Sequence, residues 1–274
     1  MPAGRNWKEL SLLAILQGLT EFLPISSSGH LLLPSILLDW PDQGLTFDIA
    51  VHLGSLGAVL LYLRSDVKRL LVAWFLSLTR GRHSDDSKLA WLLIIATLPA
   101  GLAGLLLSDV FEQYARSVGI IATTSIVFAL LLLWADKTAG HQRGVFDLSW
   151  KQALFIGVGQ MFALIPGTSR SGVTMTAALL CNLNRQAAAR FSFLMAILVI
   201  LASGLLKSVE LLRAGGVSTM TVDWPIMLYA TGLSALVAFA SIHFFLRLID
   251  AIGFLPFVIY RITLGVLLLA IYLV

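Results

Sequence analysis

Two short polar stretches interrupt an otherwise apolar chain, and each carries residues able to handle a phosphate. The first is Pro24-Ile25-Ser26-Ser27-Ser28-Gly29-His30, which follows Glu21. A carboxylate at the end of a long apolar run is costly to place in lipid and faces a polar interior by default. Gln17 lies one helical turn earlier on the same face, so the pair can share a proton, a cation or a water. The hydroxyls of Ser26, Ser27 and Ser28 suit phosphate oxygens, and one of them can attack phosphorus if a base stands close. His30 exchanges a proton near neutral pH. The plainer role for serines here is capping, with Ser28 heading a helix that runs through His30 to Leu38. Three hydroxyls leave room for both roles.

The second stretch is Pro166-Gly167-Thr168-Ser169-Arg170-Ser171-Gly172, followed by Val173 and Thr174. A helix is expected from about residue 171 to 183. Its N-terminus offers free N–H groups and a partial positive charge, which favour an anion. Gly167 and Gly172 let backbone approach a ligand closely. Arg170 adds a planar fork suited to two phosphate oxygens. An arginine at membrane depth needs an anionic partner, either Glu21 or a substrate phosphate, and the flanking hydroxyls favour the phosphate. Other polar residues have plainer readings. His52 and His243 are expected within helix contacts, Arg247 and Arg261 near an interface, and His83 and His141 in loops. The single cysteine, Cys181, excludes an intrachain disulfide and a cysteine-based metal cluster. No His, Cys and carboxylate set has zinc spacing, and no P-loop or dinucleotide glycine fingerprint is present.

The elements that must position these residues follow from composition. Of 274 residues, 58% are hydrophobic and 12% charged, about half the charge of a soluble domain. Mean hydropathy is +0.89. The charges cluster and leave apolar stretches long enough to cross a bilayer core of roughly 30 Å. Six stretches read as spans, at about 46–63, 88–107, 118–135, 190–207, 224–247 and 254–273. The segments 7–38 and 151–183 are apolar but broken at the two polar stretches, because proline removes a backbone donor and glycine loosens a helix. Each is expected to be a re-entrant hairpin, since irregular backbone at membrane depth is tolerated only where protein or water covers it. No cleavable signal peptide is evident.

The two halves resemble each other. Gln17 to Pro24 heads the first break and Gln160 to Pro166 the second; Phe47 and Phe191 open the next spans, and Trp91 and Trp224 start the ones after. The fold class expected is an all-α polytopic membrane protein. It has six transmembrane helices plus two re-entrant broken-helix hairpins in an inverted repeat. This is one transmembrane domain, with repeat one at about 1–137 and repeat two at about 151–274. The net charge of +4 is that of a membrane protein with basic cytoplasmic loops, not of a nucleic-acid binder. The loop from Arg64 to Lys88 and that from Lys137 to Lys151 are placed inside. The acidic loops at Asp39–Asp42 and Asp109–Glu112 are placed outside. Arg5 and Lys8 would then lie outside, against the rule.

At Gln17-Gly-Leu-Thr-Glu21-Phe-Leu-Pro-Ile-Ser-Ser-Ser-Gly-His30 and Pro166-Gly-Thr-Ser-Arg-Ser-Gly-Val-Thr174 the chain resembles the undecaprenyl-diphosphate phosphatase family, also called the bacitracin resistance protein family. The similarity runs nearly end to end and includes Phe47 to Leu56, Arg190 to Leu194 and Phe254 to Arg261. The family's first motif has Glu or Gln, three residues, then Glu. Gln17 takes the amide form here, which weakens any scheme with two carboxylates on a metal. The Ser/Thr-Gly-His element falls on Ser28, Gly29 and His30, and the Pro-Gly-x-Ser-Arg-Ser-Gly element on Pro166 through Gly172, with Thr174 trailing.

The resemblance implies removal of the terminal phosphate of undecaprenyl diphosphate, giving the lipid carrier for cell-wall glycan precursors. It implies a bacterial cytoplasmic membrane location with the site open to the outer face. It also implies bacitracin resistance, because bacitracin sequesters the substrate. On this reading Arg170, with Ser169, Ser171, Thr174 and nearby N–H groups, holds the phosphate oxygens. Ser27 is the expected nucleophile, Ser26 the next choice, and direct attack by water the other route. Glu21 acts as general base or anchors a divalent cation, Mg or Ca. His30 relays a proton or orients the phosphate, and Gln17 and Ser28 complete the substrate contacts. The partners expected are the prenyl diphosphate and membrane lipid, and a homo-oligomer is open; nucleic acid is not expected. A lipid-phosphate transporter or flippase would use the same cluster without cleavage.

Overall fold

The computed structural model describes residues 7–38, 40–41, 44–114, 117–213 and 223–273. Among these residues every regular element is helical, apart from one isolated bridge between Arg143 and Leu183. The chain begins with α1 (Trp7–Thr20), a break, and α2 (Ser27–Leu37). Then come α3 (Leu45–Tyr62), α4 (Arg64–Arg80), α5 (Asp85–Tyr114) and α6 (Val118–Thr138). The second half repeats the opening with α7 (Trp150–Met161), a break, and α8 (Arg170–Leu180). It closes with α9 (Arg185–Arg213), α10 (Trp224–Ile252) and α11 (Leu255–Leu273).

Six of these helices, α3, α5, α6, α9, α10 and α11, are long and apolar enough to cross a membrane. They match the six expected spans, and the chain is a multi-pass membrane protein. Side-chain caps set several starts: Ser117 accepts from the N–H of Ile120, Asp223 from that of Ile226, and Ser149 forms a capping box with Gln152. The region 64–80, expected to lie in a loop, is instead the helix α4. Its charged residues Arg64, Asp66, Lys68 and Arg69 lower its hydropathy, yet Leu70 packs inward while Leu71, Val72, Phe75 and Leu78 lie exposed on it. The segment Asp109–Glu112, also expected to be a loop, continues α5. Arg5, Asp39 and Asp42 lie outside the described residues.

The packing interleaves the halves. α1 lies on α10 and α7 on α5, so each broken pair rests on a span of the other half. Further large contacts join α3 to α10 and α6 to α11. Small residues allow the close approach, as membrane helix pairs require. A Cβ on Gly18 would meet the Ser234 carbonyl at 2.5 Å, and one on Gly54 would strike the Thr231 carbonyl. Ser234 donates to the Val51 carbonyl at 2.8 Å and lies 3.1 Å from Ser55.

In the second broken pair the end of α8 lies back beside the start of α7. Gln152, in the first turn of α7, donates to the carbonyl of Cys181 just past α8. The strand-like bridge sets Arg143 against the same turn, with hydrogen bonds to Asn182 and Asn184. At this end, buried Asp136 accepts both forks of Arg185 at 2.7 and 3.0 Å. Asp66 likewise holds Arg190 and Arg69. The start of α1 is tied to the opposite end, where Trp7 and Ser11 meet Tyr229 of α10.

Candidate active site

Each break opens its helix in the same way. Ser26 (φ 73°) caps α2 and Ser169 (φ 72°) caps α8; both are non-glycine residues held at positive φ, a strained arrangement that needs support from outside. The side chain of Ser26 accepts from the N–H of Gly29, and that of Ser169 from the N–H of Gly172. Ser26 also lies 3.4 Å from Ser28, and Ser169 lies 3.2 Å from Ser171. A Ser-x-Ser-Gly cap is thus used twice. The middle positions, Ser27 and Arg170, form the first residues of α2 and α8.

Those two side chains converge on one carboxylate. Ser27 Oγ donates to Glu21 Oε2 at 2.7 Å, and Arg170 Nη2 donates to Glu21 Oε1 at 2.7 Å. Gln17 Nε2 donates to Oε2 at 2.9 Å. Glu21 is buried, and Phe22 beside it is pinned edge-on to Phe193. Arg170 Nη1 and Gln17 Oε1 are buried without a hydrogen-bond partner among the described residues. Arg170 therefore takes Glu21 as partner with one arm, and its other arm has no partner among the described residues. A buried charged donor left unpaired is costly, so a ligand oxygen there is favoured.

The irregular backbone is satisfied by neighbouring elements. Ser171 donates to the carbonyl of Leu23 at 2.8 Å, which joins the second break to the first. In α6, Thr124 donates to the carbonyl of Pro166 and Ser125 to that of Gly167. Gly167 has φ 85°, and a Cβ there would meet the Ile121 carbonyl at 2.5 Å, so only glycine fits. Arg261 of α11 serves both breaks: it donates to the carbonyls of Pro24, Gly167 and Thr168 at 3.4, 3.0 and 2.8 Å. It is 0% exposed. The expectation that Arg261 lies near an interface is therefore corrected: unpaired carbonyls at the crossing of the breaks draw it inward.

The remaining expected residues stand behind this cluster or beside it. His30 Nδ1 donates to the carbonyl of Ser26 at 2.7 Å, since a carbonyl can only accept. In the neutral ring Nε2 then accepts from the Tyr260 hydroxyl at 2.6 Å, with the two rings stacked. His30 thus braces the strained cap and does not face Glu21 directly. Thr174 bonds back to Arg170 and Ser171 carbonyls and to Ser192, fully buried. Ser169 and Ser171 hold backbone in the same manner, and Ser28 is exposed on the near wall of a cavity. His52 was expected only within helix contacts, and one of its ring nitrogens does bond its own helix. Its Nδ1 donates to the carbonyl of Asp48 at 2.7 Å, while Nε2 lies 3.9 Å from Glu21 Oε2. An ionisable residue within an apolar span is itself the signal that marks both His52 and Arg261.

Glu21 was also the expected anchor of a divalent cation. Both its oxygens accept hydrogen bonds from Arg170, Ser27 and Gln17. Among the described residues no group of three or more His, Cys, Asp and Glu could hold a metal ion. One carboxylate faced by a guanidinium and an amide N–H does not fit a metal centre built by the protein alone.

The depth of the cluster follows from helix geometry. His52 lies seven residues into α3 and Arg261 six into α11, from opposite ends, about 10 Å from each at 1.5 Å per residue. The breaks therefore meet in the middle of the bundle. A buried acid, a hydroxyl bonded to it and a guanidinium with a free arm are groups that can serve phosphoryl transfer. Comparison with known proteins agrees. The chain is 52% identical over 258 residues to undecaprenyl-diphosphatase 1 of Pseudoalteromonas translucida (strain TAC 125), covering 94% of this chain and 96% of that relative. The profile of bacitracin resistance protein BacA matches residues 10–267, and the chain belongs to that family.

Proposed function

We infer that this chain is an integral-membrane phosphatase that hydrolyses undecaprenyl diphosphate to undecaprenyl phosphate and inorganic phosphate. The observation that carries this reading is the placement of Ser27 and Arg170, from two distant breaks, on the two oxygens of Glu21. The relative's name and the family's name point the same way.

In this mechanism the terminal phosphate docks against the free Nη1 of Arg170. Ser27 Oγ attacks the phosphorus in line while Glu21 takes its proton. The bond from phosphorus to the bridging oxygen breaks, and the electron pair leaves with the lipid phosphate. Glu21 hands the Ser27 proton to the departing lipid phosphate, then takes one from the water that attacks phosphoserine and returns it to Ser27 Oγ as inorganic phosphate leaves. Arg170 stabilises the charge on the transferring group throughout. Direct attack by water would use the same base and clamp. Phosphate release by purified protein in detergent tests the function, and a Glu21→Gln variant that keeps full activity would sink the mechanism. The same assay separates hydrolysis from transport without cleavage.

We place the chain in the bacterial cytoplasmic membrane with the site open to the outer face. Arg64, Lys68, Arg69, Arg80, Arg82, Lys88, Lys137 and Lys151 gather at one end of the bundle, which the charge rule assigns to the cytoplasm. The two broken pairs then enter from opposite faces as re-entrant hairpins. The interleaved packing and the twice-used cap support an inverted repeat with its seam near residue 144. Such an enzyme recycles the carrier lipid of cell-wall synthesis and raises bacitracin resistance.

A further inference from the structure

Beside the Glu21 cluster lies a cavity of about 450 Å³, walled by α2, the first turns of α3 and the far half of α9. Most of its wall is apolar, including Leu31, Phe47, Leu53 and Ile200. Among the described residues its polar members are Ser28, Ser35, Asp48, His52, Ser203 and Lys207, of which Asp48 is the one carboxylate. Ser28 follows the expected nucleophile directly. His52 has its Nδ1 committed to the Asp48 carbonyl, which turns Nε2 toward the cavity and toward the oxygen of Glu21 that receives Ser27. Lys207 stands one turn beyond Ser203 and Gly204 on the α9 face that lines the same space, and it is exposed.

A diphosphate attacked by Ser27 at its terminal phosphorus must place its second phosphate one bridging oxygen away. The terminal group occupies the Arg170 side of Glu21. The second group needs room, a route for a hydrocarbon chain, and positive charge, because it gains a negative charge when the bridging bond breaks. The cavity on the Ser28 side offers all three, with Lys207 and His52 as the cationic and imidazole side chains in its wall.

We propose that Ser28, His52 and Lys207 form a second phosphate subsite, which holds the phosphate that stays on the lipid, and that the apolar wall beside them takes the first isoprene units. The proposal rests on the phosphatase reading and adds to it a division of the site into two halves. Arg170 binds the phosphate that departs. His52 Nε2 shares a proton with an oxygen of the phosphate that remains, Ser28 bonds to it, and Lys207 balances its charge.

The two products separate the halves. Phosphate release from farnesyl diphosphate by purified protein would be inhibited with added farnesyl monophosphate, and separately with inorganic phosphate. Replacing His52→Leu or Lys207→Met should raise the inhibition constant for farnesyl monophosphate about tenfold, the loss expected from one hydrogen bond to a charged group. The constant for inorganic phosphate should stay within about twofold, which also reports that each variant is folded around an intact Arg170. His52→Gln, which keeps a polar group, should recover part of the loss. An unchanged farnesyl monophosphate constant in either the Leu or the Met variant overturns the subsite, as does a parallel rise in both constants. Failure of the wild-type protein to release phosphate from any prenyl diphosphate would instead strike the phosphatase reading itself.

Discussion

The two breaks share a frame and differ in chemistry. Ser26 and Ser169 adopt the same positive-φ cap, each accepts from the glycine three residues on, and each stands beside a second serine. At the position between the serines one break carries Ser27 and the other Arg170. Glu21 precedes the first cap, and Leu164 stands at the matching distance before the second. His30 likewise matches Val173. One cap design therefore delivers a hydroxyl in one half and a guanidinium in the other to a single acid. The shared part builds geometry, and the unshared part carries the groups to which the proposed chemistry is assigned.

That contrast can be broken at the unshared position with the largest effect. Arg170→Ala should cut turnover by roughly three to five orders of magnitude, the scale of an arginine that stabilises a transferring phosphoryl group. The protein should still be recovered from membranes in normal amount. Ser27→Ala should cost about as much if Ser27 is the nucleophile, and radiolabelled phosphate should then no longer be trapped on the protein. A variant at this position that keeps near-normal rates would point to direct attack by water. Glu21→Gln comes next, with a loss of about 10²- to 10⁴-fold for removal of a general base.

The shared frame should respond in stability more than in chemistry. Arg261→Ala strips three backbone carbonyls of a partner, at about 1–3 kcal/mol for each group left unsatisfied. Thermal unfolding in detergent should show a large drop, and Arg261→Lys should recover only part of it because an ammonium cannot span the same carbonyls. The smallest effects sharpen the comparison most. Ser26→Ala and Ser169→Ala should each cost about 1 kcal/mol, as loss of a helix cap does. Equal costs measured by unfolding would show that the caps are interchangeable as structure. A much larger cost at Ser26 would reveal that the His30 brace adds to that side alone.

Much of this was legible in the sequence, for physical reasons. A span must be apolar over a length fixed by the bilayer, so all six spanning helices could be read, although α5 runs on to Tyr114 and α9 from Arg185 to Arg213. The breaks were visible because proline and glycine cannot continue a helix quietly. An anionic partner for Arg170 was expected, but the flanking hydroxyls favoured a substrate phosphate, whereas the structure pairs one arm with Glu21. Helix α4 was not legible as a helix, because its charges resemble those of a loop until its apolar face is traced. Arg261 was visible but misplaced: its burial depends on carbonyls left open by two segments far from it in the chain. The orientation of His52 depends on a backbone bond one turn away and on the position of α1, which no local pattern encodes. The partner of His30 was likewise hidden, because Tyr260 lies far from it in the chain.

The interleaving of the halves has a consequence for how such a chain can be divided. Because α1 leans on α10 and α7 on α5, neither half encloses its own polar break. A fragment ending near residue 144 would expose Glu21 with no cation opposite it, and the remainder would carry Arg170 with no anion. Cutting the gene at that seam should thus give two silent pieces that regain activity only when made together.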